Sequence, residues 1–427
     1  MLKVAELKKI YTKDYFILIG IGFLPLLWKV LEIAFLANFD NALKILGQIA
    51  LISIIFKVFE ESILNPLFKC FSKQNVNDET QRQYLVKKFL FYYLLITLCF
   101  TIILFFLSPH ILKISKVPDY IFKETLSFVK IYIVACGLGV ISKYLYTCSL
   151  IGKETKKMGW YLFLKSIVTS ILLVILVPKF SFGLGVVGIA IAELIINVIT
   201  IIYLSINIGN VKFQTIRFNN KEYFKLFIFS FIETLIRNVV YYFVILVFLN
   251  VIDNQDLYFV ANDYIWSIML VPVLAQGGIV KQELALGNKN LNPYFLNSIF
   301  LTLFIIILIP IALLIFKYVY VLPNFLDYFI VLLKLFPCYI IFIFDSIIEA
   351  YFIATGKIKH ILVQTILTNI FVYCTALILY LCGVWVITLN SIILLFNLGV
   401  IVSSVYTISV YTIEKKKEVR QLLIKYK

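Results

Sequence analysis

Ionisable side chains lie inside long apolar stretches in the second half of the sequence. Glu233 and Arg237 are four residues apart, and so are Asp345 and Glu349. On a helix, that spacing places each pair on one face. A charge at the centre of a bilayer costs at least ~2.5 kcal/mol on insertion scales, so such groups usually have a partner or a function. Three carboxylates and one guanidinium predict a site for a proton or Na⁺, or alternatively a structural ion-pair network between helices.

The first half contains a second cluster, which is mixed in sign but rich in lysine. Its members lie in apolar sequence and are Lys57, Glu60, Glu61, Lys143 and Lys165. The ammonium groups suit a cavity for an anionic headgroup, whereas the carboxylates among them equally suit a neutralised ion-pair lock. Glu193 is a further acid in the same half.

The elements that position these residues must cross a membrane. Of the 427 residues, 62% are hydrophobic and only 15% are charged. A soluble domain needs roughly 25% charged residues to cover its surface. The chain therefore cannot fold in water without exposing a large apolar surface, whereas a bilayer accepts that surface.

Twelve apolar segments reach the length of about 20 residues that a spanning helix needs. They are 15–37, 43–71, 86–108, 121–150, 157–180, 183–208, 223–250, 257–286, 293–317, 324–354, 359–381 and 384–412. Pro272 interrupts the eighth, in the run Pro272 to Gly278 that contains Gln276, and predicts a kink there. We predict an all-α polytopic membrane protein with twelve transmembrane helices.

The basic residues give this map an orientation. The two ends and the loops that follow even-numbered spans hold 25 of the 39 Lys and Arg residues, and the opposite loops hold six. Basic residues concentrate on the cytoplasmic side, so both termini are predicted to be cytoplasmic. Counted from that side, Glu233 lies about ten residues into its span and Asp345 about nine, which places both acids roughly 15 Å deep at 1.5 Å per residue.

An internal repeat divides the twelve spans into six and six. Gly152-Lys153 and Gly356-Lys357 follow the fourth and tenth spans, 204 residues apart, and Ser142 aligns with Ser346 at the same offset. Repeats with an even number of helices share one orientation, which is a known transporter plan. The predicted organisation is a first six-helix bundle (1–210), a cytoplasmic linker (211–222), a second six-helix bundle (223–412) and a basic cytoplasmic tail (413–427).

Several other classes of protein are disfavoured by the sequence. The seven cysteines form no CxxC pair and there are only two histidines, which argues against a zinc site or a disulfide framework. The sequence has no HExxH motif and no nucleotide-binding loop. We predict that the protein is not an enzyme and that it uses no cofactor and no metal apart from Na⁺ or H⁺ as a coupling ion.

These features together resemble the multidrug and toxic compound extrusion (MATE) family, within the multidrug/oligosaccharidyl-lipid/polysaccharide (MOP) exporter superfamily. The resemblance covers nearly the whole chain and rests on the repeat and on three stretches in the family's order. The stretches are Leu184–Asn197 (LGVVGIAIAELIIN), Glu233–Asn238 (ETLIRN) and Val260–Trp266 (VANDYIW).

The resemblance implies two six-helix bundles in a V-shaped arrangement that alternates between outward-open and inward-open states. It also implies a cation site formed by an acid on the seventh span and one on the tenth, here Glu233 and Asp345. We add Arg237, Asn238 and Glu349 to this candidate cation site. One branch of the family places an essential aspartate in the first span; the nearest residue here is Glu32, which is not a close match.

Two functions remain open at this point. The first is a cation-coupled efflux antiporter of small organic or drug-like molecules. The alternative is a flippase for lipid-linked oligosaccharide or polysaccharide precursors, whose pyrophosphate would be held by Lys57, Lys143 and Lys165. The candidate substrate cavity combines the lysine-rich cluster with four residues of the eighth span, which are Asn262, Asp263, Trp266 and Gln276.

The expected setting is a bacterial cytoplasmic membrane. The expected partners are a small-molecule or lipid-linked substrate and membrane lipids. The net charge of +16 needs no nucleic acid, because anionic headgroups can account for it. A monomer is expected.

Overall fold

A computed structural model describes residues 10–425 of the chain with short gaps. The residues it does not describe are 1–9, 37–38, 40, 48–49, 73–78, 115–116, 207–219, 250, 253–254, 289, 321, 323 and 426–427. Most of the predicted linker, 211–222, lies outside the described residues.

Twelve helices correspond to the twelve predicted spans. They are α1 (Lys13–Leu36), α2 (Ala50–Cys70), α3 (Glu79–Ile114), α4 (Asp119–Ile151), α5 (Thr155–Leu176), α6 (Gly185–Ile206), α7 (Asn220–Leu249), α8 (Gln255–Tyr264, Ile265–Met269 and Val271–Ala285), α9 (Asn292–Val319), α10 (Phe325–Thr355), α11 (Ile358–Leu381) and α12 (Leu389–Lys425). A short helix, Ala42–Gly47, precedes α2. By length and composition alone, eight of the described helices can cross a membrane, or nine if the bent α8 counts as one span. The protein is an all-α, multi-pass membrane protein, as predicted.

The described residues divide into two compact units. The first bundle contains residues 16–220 together with 285–287. Its central helix is α4, which packs closely against α3 and α6 and also against α2. Gly188 lets α6 approach the main chain of α5, because a Cβ there would lie 2.9 Å from the carbonyl oxygen of Leu176. Helix α3 instead leaves most of its apolar side chains exposed, which suits a helix that faces lipid.

The second bundle contains residues 10–15, 221–284 and 288–425 of the described chain. Its central helix is α10, which packs against α8, α9 and α12. Helix α10 ends at Gly356, whose left-handed conformation (φ 77°) lets the main chain turn directly into α11. Each bundle is therefore organised around its fourth helix.

Helix α8 is bent where the sequence contains Pro272. Its two parts, Asp256–Met269 and Val271–Ala285, meet at 48°. A proline near the start of the second part lacks the N–H that would continue the hydrogen-bond ladder of the first part. The predicted kink is confirmed. A π-helical turn, Ile265–Met269, comes immediately before the bend.

The two bundles share details at the 204-residue offset of the sequence repeat. In the first bundle the hydroxyls of Ser142 (α4) and Thr200 (α6) are hydrogen bonded at 3.1 Å. In the second, Ser404 on α12 occupies the position equivalent to Thr200 and donates to Asp345 on α10, at 3.0 Å. The pair α4 and α6 and the pair α10 and α12 are thus each joined by a buried polar contact at the equivalent residue of the second helix.

Candidate functional site

The acid on α7 is buried and paired. The side chain of Glu233 is 4% exposed, and its Oε1 accepts a hydrogen bond of 2.8 Å from Nε of Arg237, one turn further along α7. The pairing predicted from the four-residue spacing is confirmed. The Arg237 side chain is 44% exposed, so the guanidinium lies at the edge of the site while the carboxylate is enclosed.

Helix α11 brings two polar side chains between the acids of α7 and α10. Thr365 Oγ1 donates to Glu233 Oε1 at 3.2 Å. Its neighbour Gln364 donates from Nε2 to Glu349 Oε1 on α10, at 2.7 Å, and also to Ser403 Oγ on α12. Adjacent residues of α11 therefore contact an acid on each of two other helices.

Asp345 is the most enclosed acid of the cluster, with 1% of its surface exposed. Its Oδ2 accepts the hydrogen bond from Ser404 on α12, whereas its Oδ1 is buried and has no hydrogen-bond partner. The Oε1 atom of Gln364 is likewise buried without a partner. A bound proton or a small cation would satisfy buried acceptor oxygens of this kind.

The cluster is a chain of contacts and not a convergent metal centre. Among the residues that the structure describes, no group of three or more His, Cys, Asp or Glu side chains is arranged to hold a metal ion. Any cation at Asp345 would therefore depend on neutral oxygens, such as the hydroxyl of Ser404. Carbonyl and carboxylate oxygens are suitable ligands for hard cations.

The remaining member predicted for the cation site takes a local role. Asn238 donates from Nδ2 to the carbonyl oxygen of Thr234, one turn earlier on α7, at 2.7 Å. This bond directs the amide along its own helix.

The three predicted cavity residues near the start of α8 lie in an aromatic cluster with α10. Trp266 donates from Nε1 to the hydroxyl of Tyr339 at 2.8 Å, and that hydroxyl donates to Asn262 Oδ1 at 2.6 Å. Asp263 Oδ1 accepts from Ser267 at 3.3 Å. The structure thus brings Asn262 and Trp266 together through Tyr339, a residue that the sequence did not single out.

Gln276 is separate from that cluster. It is 1% exposed, and its amide donates to the Tyr294 carbonyl oxygen at 3.0 Å and to the Ser298 hydroxyl at 3.1 Å. Its Oε1 accepts from Asn297 at 2.6 Å, and Asn297 in turn accepts from Tyr11 at 2.6 Å. All of these hydrogen bonds lie inside the second bundle; those of Gln276 join α8 to α9, and that of Tyr11 joins the segment before α1 to α9.

The lysine-rich cluster of the first bundle separates into two contacts. Lys143 on α4 forms an ion pair with Glu60 on α2, with Nζ 2.7 Å from Oε2. Lys165 on α5 donates to the side-chain oxygen of Asn197 on α6. Lys57 is exposed and Glu61 is half-buried on α2. The structure therefore brings Lys143 together with Glu60 but adds Asn197, a neutral residue, as the partner of Lys165.

Comparison with known proteins shows which fold the chain shares. No protein-family model matches the sequence, and no curated protein matches it. Solved structures do match. They include an outward-facing multidrug resistance MATE family transporter of the MOP superfamily (TM-score 0.80, 13% identity, 97% of each chain covered). A Vibrio cholerae MATE transporter matches with TM-score 0.76, 15% identity and coverage of 97% of this chain and 98% of that one.

A third match is a MOP superfamily transporter from Pyrococcus furiosus, for which a reversed polarity of the binding pocket is described. It matches with TM-score 0.77 and 12% identity over 94% of each chain. At identities of 12–15% these likenesses show the fold, and they cover it from end to end.

Proposed function

We propose that this membrane protein, which has the fold of the MATE transporters, is a secondary active transporter that exports small organic molecules in exchange for Na⁺ or H⁺ by alternating access. The observation that supports it most is the polar chain through the second bundle. Glu233 and Asp345 are buried inside the bundle and are contacted by side chains of α11 and α12. Buried carboxylates are costly in a bilayer, and their presence is characteristic of ion and proton pathways.

The site provides a physical link between ion binding and helix packing. Loading Asp345 with a proton or Na⁺ neutralises a carboxylate whose Oδ1 has no hydrogen-bond partner. Release of that cation leaves an enclosed negative charge, which favours a packing in which the carboxylate gains water or donors. Because α11 contacts both Glu233 and Glu349, movement of α11 would alter both contacts together. A ligand shifts a conformational equilibrium only through such a difference between states.

The remaining features of the proposal concern its setting. The 25-to-6 division of basic residues supports cytoplasmic termini. We place the protein in a bacterial cytoplasmic membrane as a monomer, with Na⁺ or H⁺ as its coupling ion and no other cofactor.

The alternative, a flippase for lipid-linked sugars, receives less support from the same contacts. Its pyrophosphate site would need unpaired positive charge at Lys57, Lys143 and Lys165. Lys143 instead pairs with Glu60 at 2.7 Å, and Glu193 lies within electrostatic range of both Lys143 and Lys165. Carboxylates among the lysines would repel a pyrophosphate, which carries only negative charge.

The test is transport by purified protein in proteoliposomes, with Na⁺ and pH gradients imposed separately against a panel of cationic dyes and lipid-linked sugars. Glu233→Gln and Asp345→Asn should each abolish gradient-driven movement while the protein still inserts. Glu124→Gln, which changes an exposed acid on α4, is the matched control and should transport normally. Unchanged gradient-driven transport by both site variants would overturn the coupling assignment.

A further inference from the structure

One face of α6 in the first bundle carries three polar side chains in line. Glu193, Asn197 and Thr200 follow one another at spacings of four and three residues, so they share a face. Asn197 donates to the carbonyl oxygen of Ala135 on α4 at 2.9 Å, and Thr200 is hydrogen bonded to Ser142 on the same helix. Glu193 therefore lies one turn from a face already anchored against α4.

Lysines from two helices approach this face. Lys165 on α5 donates to Asn197, one turn from Glu193. Lys143 on α4 is the next residue after Ser142 and is within electrostatic range of Glu193, as is Lys165. Its side chain is 50% exposed in the last third of α4, so the cluster is accessible at Lys143.

The charges of the cluster are incompletely paired. Lys143 is paired with Glu60, but Lys165 is bonded to a neutral amide. Glu193 makes no hydrogen bond and no ion pair with any residue that the structure describes, and Glu32 on α1 adds a second carboxylate within electrostatic range of it. Lys165, Glu193 and Glu32 are thus one ammonium and two carboxylates that do not neutralise one another by contact in the described residues.

These charges restrict the ligand. A simple anion would be attracted by Lys165 but repelled by Glu193 and Glu32. A simple cation would be attracted by the two acids but repelled by Lys165 and Lys143. A molecule with both charges can satisfy both sets, because hydrogen bonds to charged groups are stronger than those between neutral groups.

We propose that the first bundle binds a zwitterion, whose carboxylate is held by Lys165 and whose ammonium is held by Glu193 with Glu32. The proposal rests on the transporter function and names the class of its substrate: a small molecule that carries an amine and an acid. The ion pair of Lys143 with Glu60 forms the neutral border of this zwitterion site.

Three probes with the same ring test the class of ligand. They are 3-(aminomethyl)benzoate, which is a zwitterion, benzylammonium, which carries only the cation, and benzoate, which carries only the anion. Binding is measured to the full-length protein in nanodiscs, with radiolabelled probe and no ion gradient. The zwitterion should bind at least about tenfold more tightly than either single-charge probe, since one added ion-pair contact of 1.4 kcal/mol corresponds to tenfold.

Two variants assign the charges. Lys165→Gln retains a donor for Asn197 and should lower zwitterion affinity about tenfold, to that of benzylammonium. Glu193→Gln should lower it to that of benzoate. The matched controls are Lys123→Gln and Glu124→Gln, which are exposed neighbours on α4 and should leave binding unchanged. Elution as a single peak in size-exclusion chromatography checks that each variant folds.

The outcomes separate this proposal from the transporter function. Equal binding of the three probes, or no binding of the zwitterion, overturns the zwitterion site. If a proton had moved from Lys165 to Glu193, both residues would be neutral, and the zwitterion would lose its advantage over the other two probes. Binding that neither variant alters overturns it as well. Because no gradient is used, loss of ion coupling in Glu233→Gln would leave these results unchanged, and the two proposals fail independently.

Discussion

The ion pair of Glu233 and Arg237 gives the sharpest energetic prediction. Arg237→Gln removes the positive partner of a carboxylate that is 4% exposed. Breaking a fully buried pair costs about 3–5 kcal/mol, and losing a surface pair costs about 0.2–1 kcal/mol. Because Arg237 is 44% exposed, we expect an intermediate loss of about 1–3 kcal/mol in the free energy of unfolding.

Glu233→Gln should destabilise the protein less than Arg237→Gln, and the test compares these two losses. Glu233→Gln removes the carboxylate beside Arg237, but the guanidinium is half exposed and can reach water. The double variant should therefore cost little more than Glu233→Gln alone, which gives a coupling energy close to the Arg237→Gln loss of about 1–3 kcal/mol. Neighbouring pairs typically show coupling energies of 0.5–3 kcal/mol.

The assay is equilibrium unfolding of the purified protein in mixed micelles, for the two single variants and the double variant. Lys123→Gln and Glu124→Gln form the matched cycle, since both residues are exposed on α4 and should show no coupling. Additive losses at Glu233 and Arg237, within about 0.5 kcal/mol, would refute the conclusion that the carboxylate is enclosed with its partner.

Two further variants test packing away from the charged groups. Gly188→Ala should destabilise by about 1–3 kcal/mol, because its Cβ would lie 2.9 Å from the main-chain oxygen of Leu176. Gly159→Ala, whose nearest neighbour would be 3.7 Å away, should be neutral or slightly stabilising by the same unfolding assay. Gln276→Leu should cost about 1–3 kcal/mol by leaving Asn297 without its acceptor, yet the ion dependence of transport should not change. If that dependence changed, Gln276 would belong to the cation site.

Some of the site could be predicted from the sequence because charge in an apolar segment is conspicuous. The pairing of Glu233 with Arg237 required only helical spacing, and the structure contains it. The depth of Asp345, which was counted in residues along a span, stays a prediction. The twelve helices followed from apolar length, and the kink in α8 followed from Pro272.

Contacts between helices could not be predicted in this way. Thr365, Gln364 and Ser404 hold the acids in place, but they are small or neutral and do not interrupt the apolar pattern. The amide of Gln276 stands out within its own span, but its hydrogen-bond partners on α9 do not follow from that span. Neither spacing nor hydropathy along one helix reveals which residue of another helix lies opposite.

Helices α5 and α11 each contain a π-helical turn, at corresponding places in the repeat. They span Leu164–Val168 and Leu367–Cys374, and the first falls within the second when shifted by the 204 residues of the repeat. Such a turn accommodates one residue more than an α-helix and is often found at functional sites. Lys165 and Asn369 occupy corresponding places in the two turns. The two bundles thus share one irregular turn at the same place in the repeat, and they differ in the side chain that each carries there.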